Sequence, residues 1–292
     1  MDSHSASRKR KKQSQAKEVW RRLKKNRPAV IGMVIFLFLC FLAVFGTVLI
    51  PYSRSIDQVI SNRLQAPSAA HLFGTDAYGR DQFARVIHSA RMSMTLGVVT
   101  AFAATAIGLI IGACSSFYGK AVDAILMRCV DVLASIPTLL LALVIVATMG
   151  ASLKNLIIAI GISNIPGFAR ISRSTMLGIR EEGYVEAAKA YGASDIRIMA
   201  KYILPNAIGP VIVQTTMSIA DMILAAASLS YLGLGIQPPT PEWGGMLNAG
   251  KEYLQQCPYL LTYPGLAIVL ASLSISLFGD GLRDALDPRL KT

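Results

Sequence analysis

Hydrophobic positions in this chain come in long uncharged blocks, not in strand-like alternation or narrow helical stripes. Ala29–Ile50 carries no charge over more than twenty residues, about the length a helix needs to cross the hydrocarbon core. Five further blocks follow. Ser93–Tyr118 is rich in Gly and Ala; Val132–Met149 contains Pro137 and extends back through Asp131 toward Val122; Asn155–Ala169 carries Pro166 and stops at Arg170. Asn206–Gly235 is interrupted only by Asp221, and Pro258–Gly279 contains Pro264. The pattern predicts an all-α integral membrane protein with six transmembrane helices. Gly97, Gly108, Gly112, Gly161, Gly167 and the run Ala225–Ala227 are placed to let helices approach closely, because packing drives association in lipid.

Two polar stretches stand between the blocks. Residues 71–92 mix charges with Phe83, Val86 and Ile87 at helical spacing, which predicts a helix lying along the outer surface. Residues 178–205 are amphipathic and too polar to insert. There a helix begins around Glu186, Ala187 and Ala188, Gly192 breaks it, Asp195 caps a second helix, and Leu204-Pro205 ends it. A helix pair exposed on a bundle is suited to docking in a groove on another protein.

Charge then sets the orientation. Only 16% of the 292 residues are charged and 53% are hydrophobic, against roughly 25% charged in soluble domains. Residues 1–28 hold eleven Lys or Arg against Asp2 and Glu18, so they carry nine of the twelve net positive charges. No nucleic-acid reading module accompanies this tail. It precedes a span, and clustered Lys and Arg hold such ends in the cytoplasm. Phe45–Tyr52 lacks a small-residue cleavage site, so the first block reads as a span and not a leader. The cytoplasmic pieces are then 1–28, 119–121, 170–205 and the stretch from Asp280, and the outer ones 51–92, 150–154 and 236–257.

The residues for bond chemistry are missing from the pattern. There is no G-x-x-x-x-G-K-[ST] phosphate loop, no H-E-x-x-H and no C-x-x-C; His4, His71 and His88 are scattered, and Cys40, Cys114, Cys129 and Cys257 are isolated. The cysteines read as small buried apolar groups. Two carboxylates fall at membrane depth, where charge is costly and points to function. Asp131 stands three residues from Arg128, within reach of a structural ion pair along one helix. Asp221 has no basic neighbour in its own helix; it either attracts a cationic group of the cargo or hydrogen-bonds a span Ser or Thr. Trp243, ahead of the last span, is an interface anchor or part of a docking surface for a binding protein.

Glu186-Ala187-Ala188, Gly192 and Leu204-Pro205 resemble the EAA signature of ABC-importer membrane subunits, with Tyr202 where the family often has Ile. The segments His71-Leu-Phe-Gly-Thr-Asp76, Gly79-Arg80-Asp81 and Arg91 resemble the dipeptide/oligopeptide/nickel branch. Tyr231-Leu-Gly-Leu-Gly235, Gln237-Pro-Pro-Thr-Pro-Glu-Trp-Gly244 and Gly279-Asp-Gly-Leu-Arg-Asp-Ala-Leu-Asp-Pro-Arg289 are similar to its second, "C-type" permease. The likeness runs from about residue 20 to 292.

This resemblance implies a type I ABC importer permease fold in a bacterial cytoplasmic membrane, with both termini cytoplasmic. Its parts are a basic tail (1–28), a first transmembrane helix with outer loop and interfacial helix (29–92), a core permease domain (93–279) containing the coupling loop (178–205), and a C-terminal tail (280–292). It implies a homologous second permease, two cytoplasmic ATPase subunits gripping the coupling helices, and an extracytoplasmic solute-binding protein. The chain itself needs no cofactor or metal, since ATP and Mg would sit on the partner ATPases. Peptides are the expected cargo. Nickel or a metal chelate is the alternative, disfavoured because the spans offer few metal ligands. A proton-coupled secondary transporter predicts inverted repeats about a mid-membrane site, and no convincing repeat is seen. A membrane enzyme predicts a convergent catalytic set, and none is present.

Overall fold

The computed structural model describes residues 15–286, with side chains from Glu18 onward. Among the described residues the elements are α1 (Gln15–Leu23), α2 (Arg27–Leu49), α3 (Ser53–Ile56), α4 (Gln82–Tyr118), α5 (Lys120–Ala134), α6 (Thr138–Met149), α7 (Leu153–Arg180), α8 (Gly183–Ala190), α9 (Asp195–Ile198), α10 (Leu204–Leu229), α11 (Trp243–Gly250) and α12 (Tyr259–Leu286). One isolated β-bridge, Thr75 to Asp81, is the only strand-like pairing among them. We call the end of the bundle carrying α1 and the C-terminus of α12 the near end, and the opposite end the far end.

Five helical runs are long and apolar enough to span a membrane: α2, α4, α7, the run Asp195–Leu234, and α12. The expected third span is instead a broken pair, with α5 and α6 meeting at an 82° bend. Its cause is local. Pro137 lacks an N–H and pushes the residue before it out of helical geometry, so the helix stops at Ser135, whose hydroxyl donates to the Val132 carbonyl at 2.7 Å. With twelve residues, α6 rises about 18 Å and cannot cross alone.

Element ends also differ from those expected. Residues 71–81 form a loop, and 82–92 are the first turns of α4 itself, so no separate surface helix forms there. Asp81 caps α4 by accepting from the Ala84 amide at 2.9 Å, and nothing after Gln82 breaks the helix. Helix α7 continues past Arg170 to Arg180, since charge stops insertion but not helix formation. Leu204-Pro205 does not end a helix. A π-helical turn, Met199–Ile203, leads straight into α10, and Pro205 occupies its first turn, where a missing N–H costs nothing. Helix α12 runs through Asp280 to Leu286, so the expected C-terminal tail begins helical; its last residues, 287–292, lie outside the described residues, as does the first half of the basic tail.

Helices α4 and α7 form the most extensive pair. A Cβ on Gly108 would stand 2.4 Å from that of Phe168, and one on Gly112 2.6 Å from that of Ser172, so these two glycines set the approach. Gly161 and Gly167, expected to do likewise, meet no close neighbour. Leu96, Leu156, Ile160, Met222, Ile223 and Ile275 fill the centre. Val34, Phe38, Phe41 and Val48 on α2 point outward, as a lipid-facing span requires.

Candidate functional site

The near end carries the helix–glycine–helix element. In α8, Val185 and Ala188 turn inward and join a cluster with Phe117, Met176, Ile198, Ile203 and Ala207. Gly192, at φ +77°, reverses the chain. Its amide donates to the Lys189 carbonyl at 2.9 Å and that of Ala193 to Ala188 at 3.1 Å, the two-bond cap that terminates helices through a left-handed residue. The Ala188-to-Gly192 spacing is therefore the geometry of this cap. Glu186 and Ala187 stay exposed, and Glu186 lies in the first turn of α8, where the helix dipole favours a carboxylate. Tyr191 is 92% exposed and Ile196 79%, so apolar groups protrude at the tip. Partial burial, and then the Glu182 charge, push the Tyr184 hydroxyl above its usual value and keep it a neutral donor.

Charged side chains tie α7, which leads into this element, to α4 and α5. Arg173 of α7 donates twice to the Asp123 carboxylate of α5, each at 2.6 Å, and Ser115 of α4 donates to the same group. Arg180 donates to the Ser116 carbonyl at 2.7 Å. Asp131 pairs with Arg170 of α7 at 2.8 Å, not with Arg128. The local i,i+3 rule names an available neighbour, but α7 brings a second cation to the other side, and Arg128 stays exposed.

The far end is a locked cap. Asp76 takes the amides of Tyr78 and Arg80 at 2.9 and 3.0 Å and the Arg80 guanidinium at 2.7 Å, with Arg80 itself only 3% exposed. Asp81, besides capping α4, accepts from Arg54 at 3.1 Å and faces His71 at 2.9 Å. Arg85 donates to the Ser55 carbonyl at 2.8 Å, tying in α3. At Gly79, φ +75°, a Cβ would overlap the Val59 carbonyl oxygen at 1.8 Å.

Trp243 is part of this architecture and not an exposed docking or anchor residue. It is 1% exposed, and its Nε1 donates to the Val86 carbonyl at 2.9 Å. The preceding Glu242 caps α11 by accepting from the Gly244 and Gly245 amides at 2.9 and 2.8 Å, and takes Ser93 of α4 at 3.2 Å. Sequence reasoning missed Glu242 and Arg85. An acidic residue immediately before a Trp-Gly-Gly helix start is the pattern that marks the first; nothing local marks the second.

Along α10 and the π-helical turn that follows it, Asp221, Leu224, Ser228 and Tyr231 recur at three- and four-residue spacing on a face turned away from this chain's own bundle. Asp221 is exposed there and makes no hydrogen bond or ion pair among the described residues, so the expected bond to a span Ser or Thr of this chain is absent. Toward the near end the stripe opens into a hollow of about 780 Å³, bordered by Asn206, Gln214, Met217, Arg283, Glu18 and Arg22. Among the described residues no group of three or more His, Cys, Asp or Glu is placed to hold a metal ion.

The spans, the exposed near-end element and the far-end cap together make the fold of an ABC-importer permease. Chains of an inward-facing MetNI methionine ABC transporter (TM-score 0.57, 19% identity, 70% of this chain and 96% of that one) and of an amino acid ABC transporter (TM-score 0.52, 20% identity, 71% and 95%) share this fold. Residues 104–292 match the family described as binding-protein-dependent transport system inner membrane component, and residues 14–67 match the N-terminal TM domain of oligopeptide transport permease C. The chain belongs to the binding-protein-dependent transport system inner membrane component family. It is 42% identical over 276 residues to the dipeptide transport system permease protein DppC of Alkalihalophilus pseudofirmus, covering 94% of this chain and 90% of that protein. It is 41% identical over 274 residues to the glutathione transport system permease protein GsiD of Escherichia coli, with the same coverage of each.

Proposed function

We propose that the chain forms half of the pathway of an ATP-driven importer for dipeptides and other short peptides, beside a second, homologous permease. The carrying observation is α8, whose apolar side is anchored in the near end while Glu186, Tyr191 and Ile196 project. It is read as the coupling helix seated in a groove of one of two cytoplasmic ATPases, which bind ATP and Mg; the near end is then cytoplasmic, as the basic tail also argues. A solute-binding protein delivers cargo to the far end. Nucleotide binding favours one arrangement of the spans over the other, and differential affinity for the two arrangements is what such a drive requires.

The α10 stripe is read as the face toward the second permease and the pathway, with Asp221 drawing the α-ammonium group of a peptide. Asp131, tied to Arg170, is assigned a positioning role at the cytoplasmic mouth. The likeness to both a dipeptide and a glutathione permease supports short peptides over metal ions, although in this branch selectivity rests largely on the binding protein. The test is co-purification with the products of neighbouring genes, followed by uptake and ATPase assays with dipeptides, oligopeptides and Ni²⁺. Peptide-stimulated ATPase activity lost on Glu186→Lys is expected; no ATPase subunit co-purifying, together with intact uptake by the Glu186→Lys variant, defeats the reading.

A further inference from the structure

Helix α1 is folded back against the bundle, and its two sides differ. Val19 and Leu23 pack on Ala29, Met33, Phe278 and Ala285, at the near ends of α2 and α12. Arg22 is occupied by Glu18 at 2.8 Å. The remaining surface presents Trp20, 45% exposed, with Arg21, Lys24, Lys25 and Arg27, all exposed and none in an ion pair among the described residues. The Lys24 ammonium lies 5.0 Å from the centre of the Trp20 ring, so aromatic and cation share one flank.

The position is as informative as the composition. Arg27 opens the first span, and only Lys24, Lys25 and Asn26 separate α1 from it, so α1 sits at the boundary of the hydrocarbon. Trp rings favour that depth, and cations flanking a span are drawn to anionic headgroups. Beside these cations is a hollow of about 370 Å³ bordered by Arg21, Arg22, Lys25 and Asn26, with Glu18 held by Arg22 and Asp284 facing Asn26. The run Arg8–Lys12 adds five more positive residues along the chain before it.

We propose that α1 and the cations that follow it bind the headgroups of anionic phospholipids in the leaflet at the near end, fastening that end of the permease to the bilayer. This rests on the cytoplasmic placement of the near end given above. An ordinary topology-setting tail needs only charge, whereas this element has a packed apolar side, an interfacial Trp and free cations on the opposite surface. Its charge complements lipid phosphate.

The assembled transporter carrying Trp20→p-benzoylphenylalanine is reconstituted in vesicles of equal phosphatidylcholine and phosphatidylglycerol, and photo-adducts at that position are identified by mass. Phosphatidylglycerol adducts in several-fold excess are expected. The excess should fall to the bulk ratio in Arg21→Gln/Lys24→Gln/Lys25→Gln, and in the parent as NaCl is raised to about 1 M, where screening shortens to about 3 Å. The salt series reads the same quantity should the triple variant fail to assemble. Adducts in the bulk lipid ratio, or adducts to an ATPase subunit in place of lipid, overturn the proposal. Peptide uptake measured in the same vesicles reports separately on the permease reading: uptake without lipid selectivity sinks only the lipid assignment, and lipid selectivity without ATPase coupling sinks only the transport reading.

Discussion

Arg173 and Asp123 face each other as two parallel hydrogen bonds of 2.6 Å, clamping α7 to the start of α5. Since α7 leads through Arg180 into α8, this clamp lies between the exposed element and the broken span. Arg173→Lys keeps the charge and loses the fork. A charge-assisted pair of this form contributes on the order of 1–2 kcal/mol, so the variant's thermal midpoint should fall by a few degrees. Its peptide-stimulated ATPase rate should fall further than its basal rate. Equal falls in both rates would show that the pair stabilises without transmitting.

Gly192 offers a cleaner perturbation. No heavy atom lies within 4 Å of where its Cβ would be, so a side chain there is opposed only by the left-handed backbone. Gly192→Ala should cost about 1–2 kcal/mol and loosen α8, lowering ATPase coupling, while Gly192→Asn should recover part of the loss. Thermal unfolding and stimulated ATPase rates of the two variants decide it; an Asn variant no better than Ala would contradict the backbone account.

Trp243→Ala should cost about 3–5 kcal/mol, as removal of a fully buried large side chain does, and should reduce the amount of folded permease recovered. Trp243→Phe keeps most of the volume and loses the bond to the Val86 carbonyl, so it should fold with a lower thermal midpoint. Titration of the surviving Phe variant with binding protein should give an unchanged Kd, as expected of a residue that never reaches the surface.

Asp221→Asn removes a charge that has no partner among the described residues. The thermal midpoint of the isolated subunit should therefore shift by no more than an ordinary surface substitution allows, within about 0.5 kcal/mol. Uptake of peptides with a free ammonium terminus should drop several-fold, and that of N-acetylated peptides much less. A uniform drop across both cargo types would remove Asp221 from recognition.

Five of the six expected spans were legible from long apolar runs, and the near-end element from the Glu186–Pro205 pattern. What was not legible depends on partners distant in the chain. Asp131 had an eligible cation three residues away, but Arg170, thirty-nine residues on, takes it. Trp243 looked like an interface residue because aromatics before a span usually are; its burial comes from the α4 backbone at Val86. Pro137 was visible as a break, but a proline marks where a helix stops and not the 82° at which the next one leaves. Charges at 71–92 suggested a surface helix, whereas Asp76 is satisfied by Arg80, and Asp81 by Arg54 and His71, within a folded cap.

Helix α4 has no proline and no break over 37 residues, and so reaches about 55 Å from the far-end cap to the Ser115–Asp123 contact. It is a stiff beam pressed against α7 at Gly108, 26 residues from its start and 10 from its end. Rocking such a beam by about 10° about that point carries the far-end tip through about 7 Å and the near-end tip through about 3 Å, in opposite senses. A small push at the near end would thus arrive at the far end as a larger countermovement, with no break in the helix to absorb it.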